Sequence, residues 1–169
     1  MRLLAWLLPL AANACPTDSE PRAAGVLLTV KGAGAAVLAL DAADLAKMPA
    51  TRLTQQQMVS SSTGSESNHS TVYGGVLLRE VLSQAGFGAA TDRGARVGVV
   101  EAVATDGYRS VFSWGELFNS TAGEHALIIT TQDGRTLNTA AGPLALRALA
   151  DLRPGPRHVR NLCALVVRR

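Results

Sequence analysis

A chain of 169 residues that is 47% apolar and 17% charged can bury one sizeable core, which excludes a disordered polymer. Aromatic residues make up only 4%, and the formal net charge is +3. That leaves too few rings for a base-stacking surface and too small a positive excess to imply DNA or RNA, so no nucleic-acid partner is expected.

The first residues carry a compartment signal. Arg2 precedes an apolar run over residues 3–12, and Ala12-Asn13-Ala14 offers small residues around a cleavage point. This is the layout of an export signal over residues 1–14, and the run is shorter than the roughly 20 residues that a bilayer span needs. The alternative is a buried N-terminal helix. With the Ala- and Arg-rich composition, the expectation is a bacterial protein that is periplasmic or otherwise exported. Cleavage after Ala14 leaves Cys15 first; Ala12-Asn13-Ala14 fits lipid processing poorly, so a soluble export product is expected, with lipidation at Cys15 as the lesser alternative and the one route to a membrane. Residues 15–24 read as a polar, Pro-bearing linker, and residues 25–169 as a single domain.

Within that domain, residues 25–31 (GVLLTVK) read as a strand, and residues 37–40 as a second strand able to pair with it. Asp41 is placed to cap a short helix over 42–47, stopped by Pro49. Residues 51–59 begin β-prone, and residues 60–70, rich in Ser, Gly and Asn, read as a long loop. Val76, Leu77, Val81, Leu82 and Ala85 recur at helical spacing, closed by Gly86.

Residues 97–104 alternate as a mostly buried strand, and Asp106-Gly107 is a tight-turn signal returning the chain as residues 108–112. Ser113 and Glu116 then have the spacing of a capping box for a short helix over 114–119. An apolar strand over 126–131, a second turn at Asp133-Gly134, a segment over 144–149, one helical turn over 159–162 and a last strand over 163–167 complete the chain. This order predicts an α+β fold with a mixed β-sheet and short helices.

There are two cysteines. Cys163 lies in an apolar run and reads as a small buried hydrophobe; a Cys15–Cys163 disulfide is the lesser alternative, because Cys15 sits on a terminal segment. Asp106 and Tyr108 are candidates to line a cleft at the hairpin tip, or else a turn residue and a packing ring. Arg147, Arg153, Arg157, His158 and Arg160 form a basic cluster toward the C-terminus, which reads equally as a solvated positive edge. His69, His125 and His158 lack paired metal-ligand spacing, and the sequence has no G-x-S-x-G elbow, no P-loop and no strand-borne GxGxxG.

The series VLLTVKG, DAADLAKMP, YGGVLLREVLSQAG, VEAVATDGYRSVFSWGEL, ALIITTQDGRTL, AGPLAL and HVRNLCALVV resembles the sulfite-oxidase-type molybdopterin-binding domain, in its short, single-domain exported version. The resemblance runs from Gly25 to about Val167. It implies that fold, a molybdopterin cofactor, and basic residues near the VRxL segment that hold the pterin phosphate. On that basis Asp106, Tyr108, Arg157, His158 and Arg160 are the candidate cofactor-binding residues, Arg suiting phosphate through its planar fork. Family enzymes also ligate molybdenum with a cysteine thiolate from the loop before the GVxL helix. Here residues 59–72 contain serines, a threonine and a histidine but no cysteine, and a hydroxyl is a poor substitute for a soft thiolate. The start also has one arginine rather than the pair that folded export uses.

The expectation is therefore an exported domain of this fold that lacks the metal thiolate and binds a small molecule, a pterin-like ligand or an envelope protein. The alternative is a molybdenum-cofactor-dependent oxidoreductase of the sulfite oxidase family.

Overall fold

The computed structural model describes residues 15–18, 22–33, 37–60, 66–88, 93–153 and 155–169. The expected export signal over 1–14 lies outside the described residues, as does 61–65 within the expected 60–70 loop.

Two sheets make the fold. The first joins β1 (Leu28–Gly32), β2 (Leu38–Leu40), β5 (Val99–Ala104), β6 (Arg109–Ser113) and β11 (Leu162–Arg168) in the order β2-β1-β11-β5-β6. β1 runs parallel to β11 and every other pair is antiparallel, so this sheet is mixed as expected. The second joins β3 (Ala50–Ser60), β4 (Glu66–Leu77), β7 (Ala126–Gln132), β9 (Ala145–Ala148) and β10 (His158–Val159) in the order β10-β9-β7-β4-β3, with β8 (Arg135–Thr136) on β7.

Three short helices connect them: α1 (Ala42–Lys47), α2 (Leu78–Gln84) and α3 (Trp114–Phe118). Both expected caps form. The Asp41 carboxylate accepts the Asp44 amide, the Ser113 hydroxyl accepts the Glu116 amide, and the side chains of Asp44 and Glu116 reach back.

The main core lies where the sheets face each other. Leu28, Val100, Phe112 and Leu165 come from the first sheet, Val76, Ile128 and Leu146 from the second, and Leu78, Val81 and Leu82 from α2. At roughly 1.5–3 kcal/mol for each large side chain removed from water, this aliphatic core carries the fold despite its few aromatics. A smaller cluster of Tyr73, Leu77, Leu127, Ile129 and Ala145 belongs to the second sheet, and one of Cys15, Val103, Cys163 and Ala164 to the first.

Four sequence readings are corrected. Residues 66–70 are not loop: β3 and β4 pair from Ala50↔Val76 out to Ser60↔Glu66. Ser, Thr and Gln side chains are compatible with a ribbon whose backbone ladder supplies the hydrogen bonds, and that is what composition alone hides. The helix expected from Val76 starts at Leu78, because Val76 and Leu77 pair with Ile128 and Leu127. A bulge at Gly74/Gly75 precedes it, and a Cβ on Gly75 would stand 1.9 Å from the Ile128 carbonyl oxygen. Val97 and Gly98 precede β5 in a 3₁₀ turn and its cap. Residues 159–162 form no helical turn: β10 ends at Val159, and Asn161 turns the chain into β11 with φ +50°.

The lesser cysteine alternative is the one that forms. Cys15 and Cys163 are joined in a disulfide across a sequence separation of 148. The described part of the expected linker is docked rather than loose. Arg22 pairs with Asp18 at 2.7 Å and donates to the carbonyls of Leu27 and Cys163, while Lys31 pairs with Asp18 at 3.0 Å.

Candidate functional site

The five candidate residues fall into three settings. At the hairpin tip, Asp106 accepts the Tyr108 amide at 2.9 Å, and Gly107 takes φ +87°. Asp106 thus serves its turn. Tyr108 donates its hydroxyl to the Pro156 carbonyl at 2.6 Å and ties the hairpin to the segment before β10.

Arg157 is next in the chain and is fully engaged. Its Nε donates to Asp151 at 2.8 Å, its other nitrogens donate to Asp151 and Glu116, and its guanidinium lies 5.0 Å over the Phe112 ring. Such a charge-assisted, two-carboxylate clamp leaves little donor capacity for a phosphate.

His158 lies on β10, in register with Arg147 on β9. Burial, then the charges of Arg147 and Arg160, push its pKa down to about 4, so the imidazole is neutral near pH 7. Arg160 is exposed beside it. Arg147 is only 8% exposed. It donates to the Tyr73 hydroxyl and lies 5.0 Å over the Tyr73 ring, and among the described residues no carboxylate pairs with it. The structure therefore gathers Arg147, His158 and Arg160, with Tyr73 added. The clue to Arg147 in the sequence is an arginine inside an otherwise apolar strand; nothing local marks Tyr73, whose partner is 74 residues away.

A cavity of about 560 Å³ opens elsewhere, among α1, the ends of β3, β4 and β7, and the segment after β8. Leu45, Met48, Val76 and Leu144 are among its walls, and none of the five candidate residues lines it.

A thiolate-held metal does not fit these residues. Both cysteines of the sequence are consumed by the disulfide, and Cys163 is 1% exposed. Among the described residues no group of three or more His, Cys, Asp or Glu side chains converges.

The α+β arrangement of a mixed sheet against a second sheet, with few short helices, is a fold shared with a redox enzyme. The sulfane dehydrogenase SoxCD from Paracoccus pantotrophus superimposes with a TM-score of 0.61 at 17% identity, over 83% of this chain and 37% of that one. The chain thus spans little more than a third of that enzyme's chain, and the likeness is one of fold, in line with the distant sulfite-oxidase-type resemblance of the motifs. No family model matches the sequence, and no curated protein does.

Proposed function

We propose that this chain is an exported ligand-binding domain of the molybdopterin-binding fold that carries no thiolate-held metal. One observation bears most of the weight: the Cys15–Cys163 bond occupies both sulfurs that the sequence provides. A molybdenum oxidoreductase of the related type needs a free thiolate, and this chain has none to give while oxidised.

The same bond supports an oxidising compartment such as the periplasm, where disulfides persist. It also competes with lipidation, since a thioether at Cys15 and a disulfide at Cys15 exclude each other, which favours a soluble product. The ligand side of the proposal rests on Arg147, His158 and Arg160. Two cations, Arg147 at the Tyr73 hydroxyl and the exposed Arg160, lie close enough to His158 to depress its pKa, and together with that neutral imidazole they favour an anionic group, such as the phosphate of a pterin-like molecule. Asp106 and Tyr108 support this region through the Pro156 contact. Arg157, saturated by Asp151 and Glu116, is left out of the ligand set.

The test is to make the protein in a host that synthesises the molybdenum cofactor, then measure its metal content and titrate it with a pterin monophosphate. Protein free of molybdenum, stabilised saturably by the pterin monophosphate in the wild type but not in Arg147→Met, is expected. Stoichiometric molybdenum would overturn the proposal in favour of the oxidoreductase.

A further inference from the structure

The cavity of about 560 Å³ is within the roughly 300–1,000 Å³ range of small-molecule sites. Its walls are mostly apolar, with Leu27, Leu45, Met48, Val76, Leu137 and Leu144 contributing. Arg52 is the single charged residue among those that line it. Its side chain is exposed and, among the described residues, makes no ion pair or hydrogen bond.

The polar part of the wall has a defined layout. Arg52 on β3 is in register with Gly74 on β4, Gly74 with Thr131 on β7, and Thr131 with Thr136 on β8. A cation, a residue without a side chain and two hydroxyls thus stand in a row across four strands. A Cβ on Gly74 would lie 2.4 Å from the Thr131 hydroxyl oxygen, so this hydroxyl occupies the space over the glycine, between its own strand and Arg52. The hydroxyl of neighbouring Thr130 is already spent on the Gly74 carbonyl at 3.3 Å.

We infer that this cavity is a binding site for a single-chain organic anion, its aliphatic body against the leucine, methionine and valine walls and its carboxylate between Arg52 and the Thr131 hydroxyl. Charge complementarity selects the head: a lone guanidinium with unused donors favours a carboxylate over an alcohol and repels an ammonium. Apolar burial supplies most of the affinity and the head group the selection. The site shares no residue with the Arg147–His158–Arg160 cluster, so it stands or falls separately from the pterin-phosphate reading.

The experiment is calorimetric titration of the purified protein with dodecanoate, dodecanol and dodecyltrimethylammonium, each below its micelle concentration. Dodecanoate is expected to bind at one per chain, at least tenfold tighter than dodecanol, with the ammonium weakest. Arg52→Gln should bring dodecanoate to the level of dodecanol without changing the response to a pterin monophosphate. Ala46→Trp, at an exposed position of α1 on the cavity wall, should abolish binding of both while circular dichroism stays native. Absence of saturable dodecanoate binding, equal binding of the ammonium, or dodecanoate affinity unchanged in Arg52→Gln would overturn the inference.

Discussion

Arg147 reaches from β9 to the hydroxyl of Tyr73 on β4, and this neutral oxygen is the one hydrogen-bond partner its buried guanidinium has among the described residues. A buried cation with no counter-ion costs several kcal/mol that the Tyr73 ring and hydroxyl only partly offset. Arg147→Met is therefore expected to raise the unfolding free energy by about 1 kcal/mol in phosphate-free buffer. Tyr73→Phe, which strands the cation, should lower it by roughly 1–3 kcal/mol. Urea denaturation of the two variants checks both signs; a clear loss of stability in Arg147→Met would mean that the cation is compensated within the protein.

The disulfide closes nearly the whole domain, with 148 residues of sequence separation. Loop-closure arguments put its contribution at up to about 5 kcal/mol, and native bridges of this kind are worth about 2–5. Adding reductant, or the double change Cys15→Ser with Cys163→Ala, should lower the urea midpoint accordingly. The oxidised native protein should also resist thiol alkylation, and the mature N-terminal peptide should carry no acyl mass. Full alkylation of the untreated protein would contradict the bond.

His158 makes stability depend on pH. Its folded pKa of about 4 lies below the ordinary 6.5, so between those values the unfolded chain holds more protons than the native one. Stability should rise as pH climbs from about 4 to 6.5 and level off above. His158→Gln should flatten the profile across that window. Below it, Glu101 contributes a separate loss, because the hydrogen bond from Arg168 keeps its carboxyl under the usual range. Denaturation midpoints from pH 3.5 to 8 in wild type and variant provide the measurement.

Arg157 is predicted to be structural. Its side chain is 24% exposed, and it joins the segment before β10 to Asp151 and to Glu116 on α3, over the Phe112 ring. Arg157→Ala should cost roughly 1.5–3 kcal/mol, leaving two carboxylates without their shared cation. It should leave the affinity for a pterin monophosphate within twofold. A loss of that affinity much larger than the loss of stability would return Arg157 to the ligand set.

Local signals proved readable wherever the physics is local. The capping boxes at Asp41 and Ser113, the Asp106-Gly107 and Asp133-Gly134 turns, and the alternation of β5 all depend on residues within a few positions of one another. What escaped depends on distant partners. The β3–β4 ribbon is polar in its outer half apart from Met58 and Val59, and shows as a strand only through its ladder. The helical spacing of Val76 and Leu77 with Val81 is genuine, yet pairing with Ile128 and Leu127 claims the first two for a strand. The site divided in the same way. His158 and Arg160 were visible in a basic stretch, whereas the buried setting of Arg147 and its tie to Tyr73 required two strands 74 residues apart to meet.

The parallel ladder between β1 and β11 makes the first described strand of the domain a neighbour of the last. A polypeptide delivered N-terminus first, from a ribosome or through a membrane channel, releases β1 long before the strand that must flank it. The first sheet therefore cannot close until β11 has followed β1 out, and its aliphatic strands wait unpaired across more than 100 residues of chain.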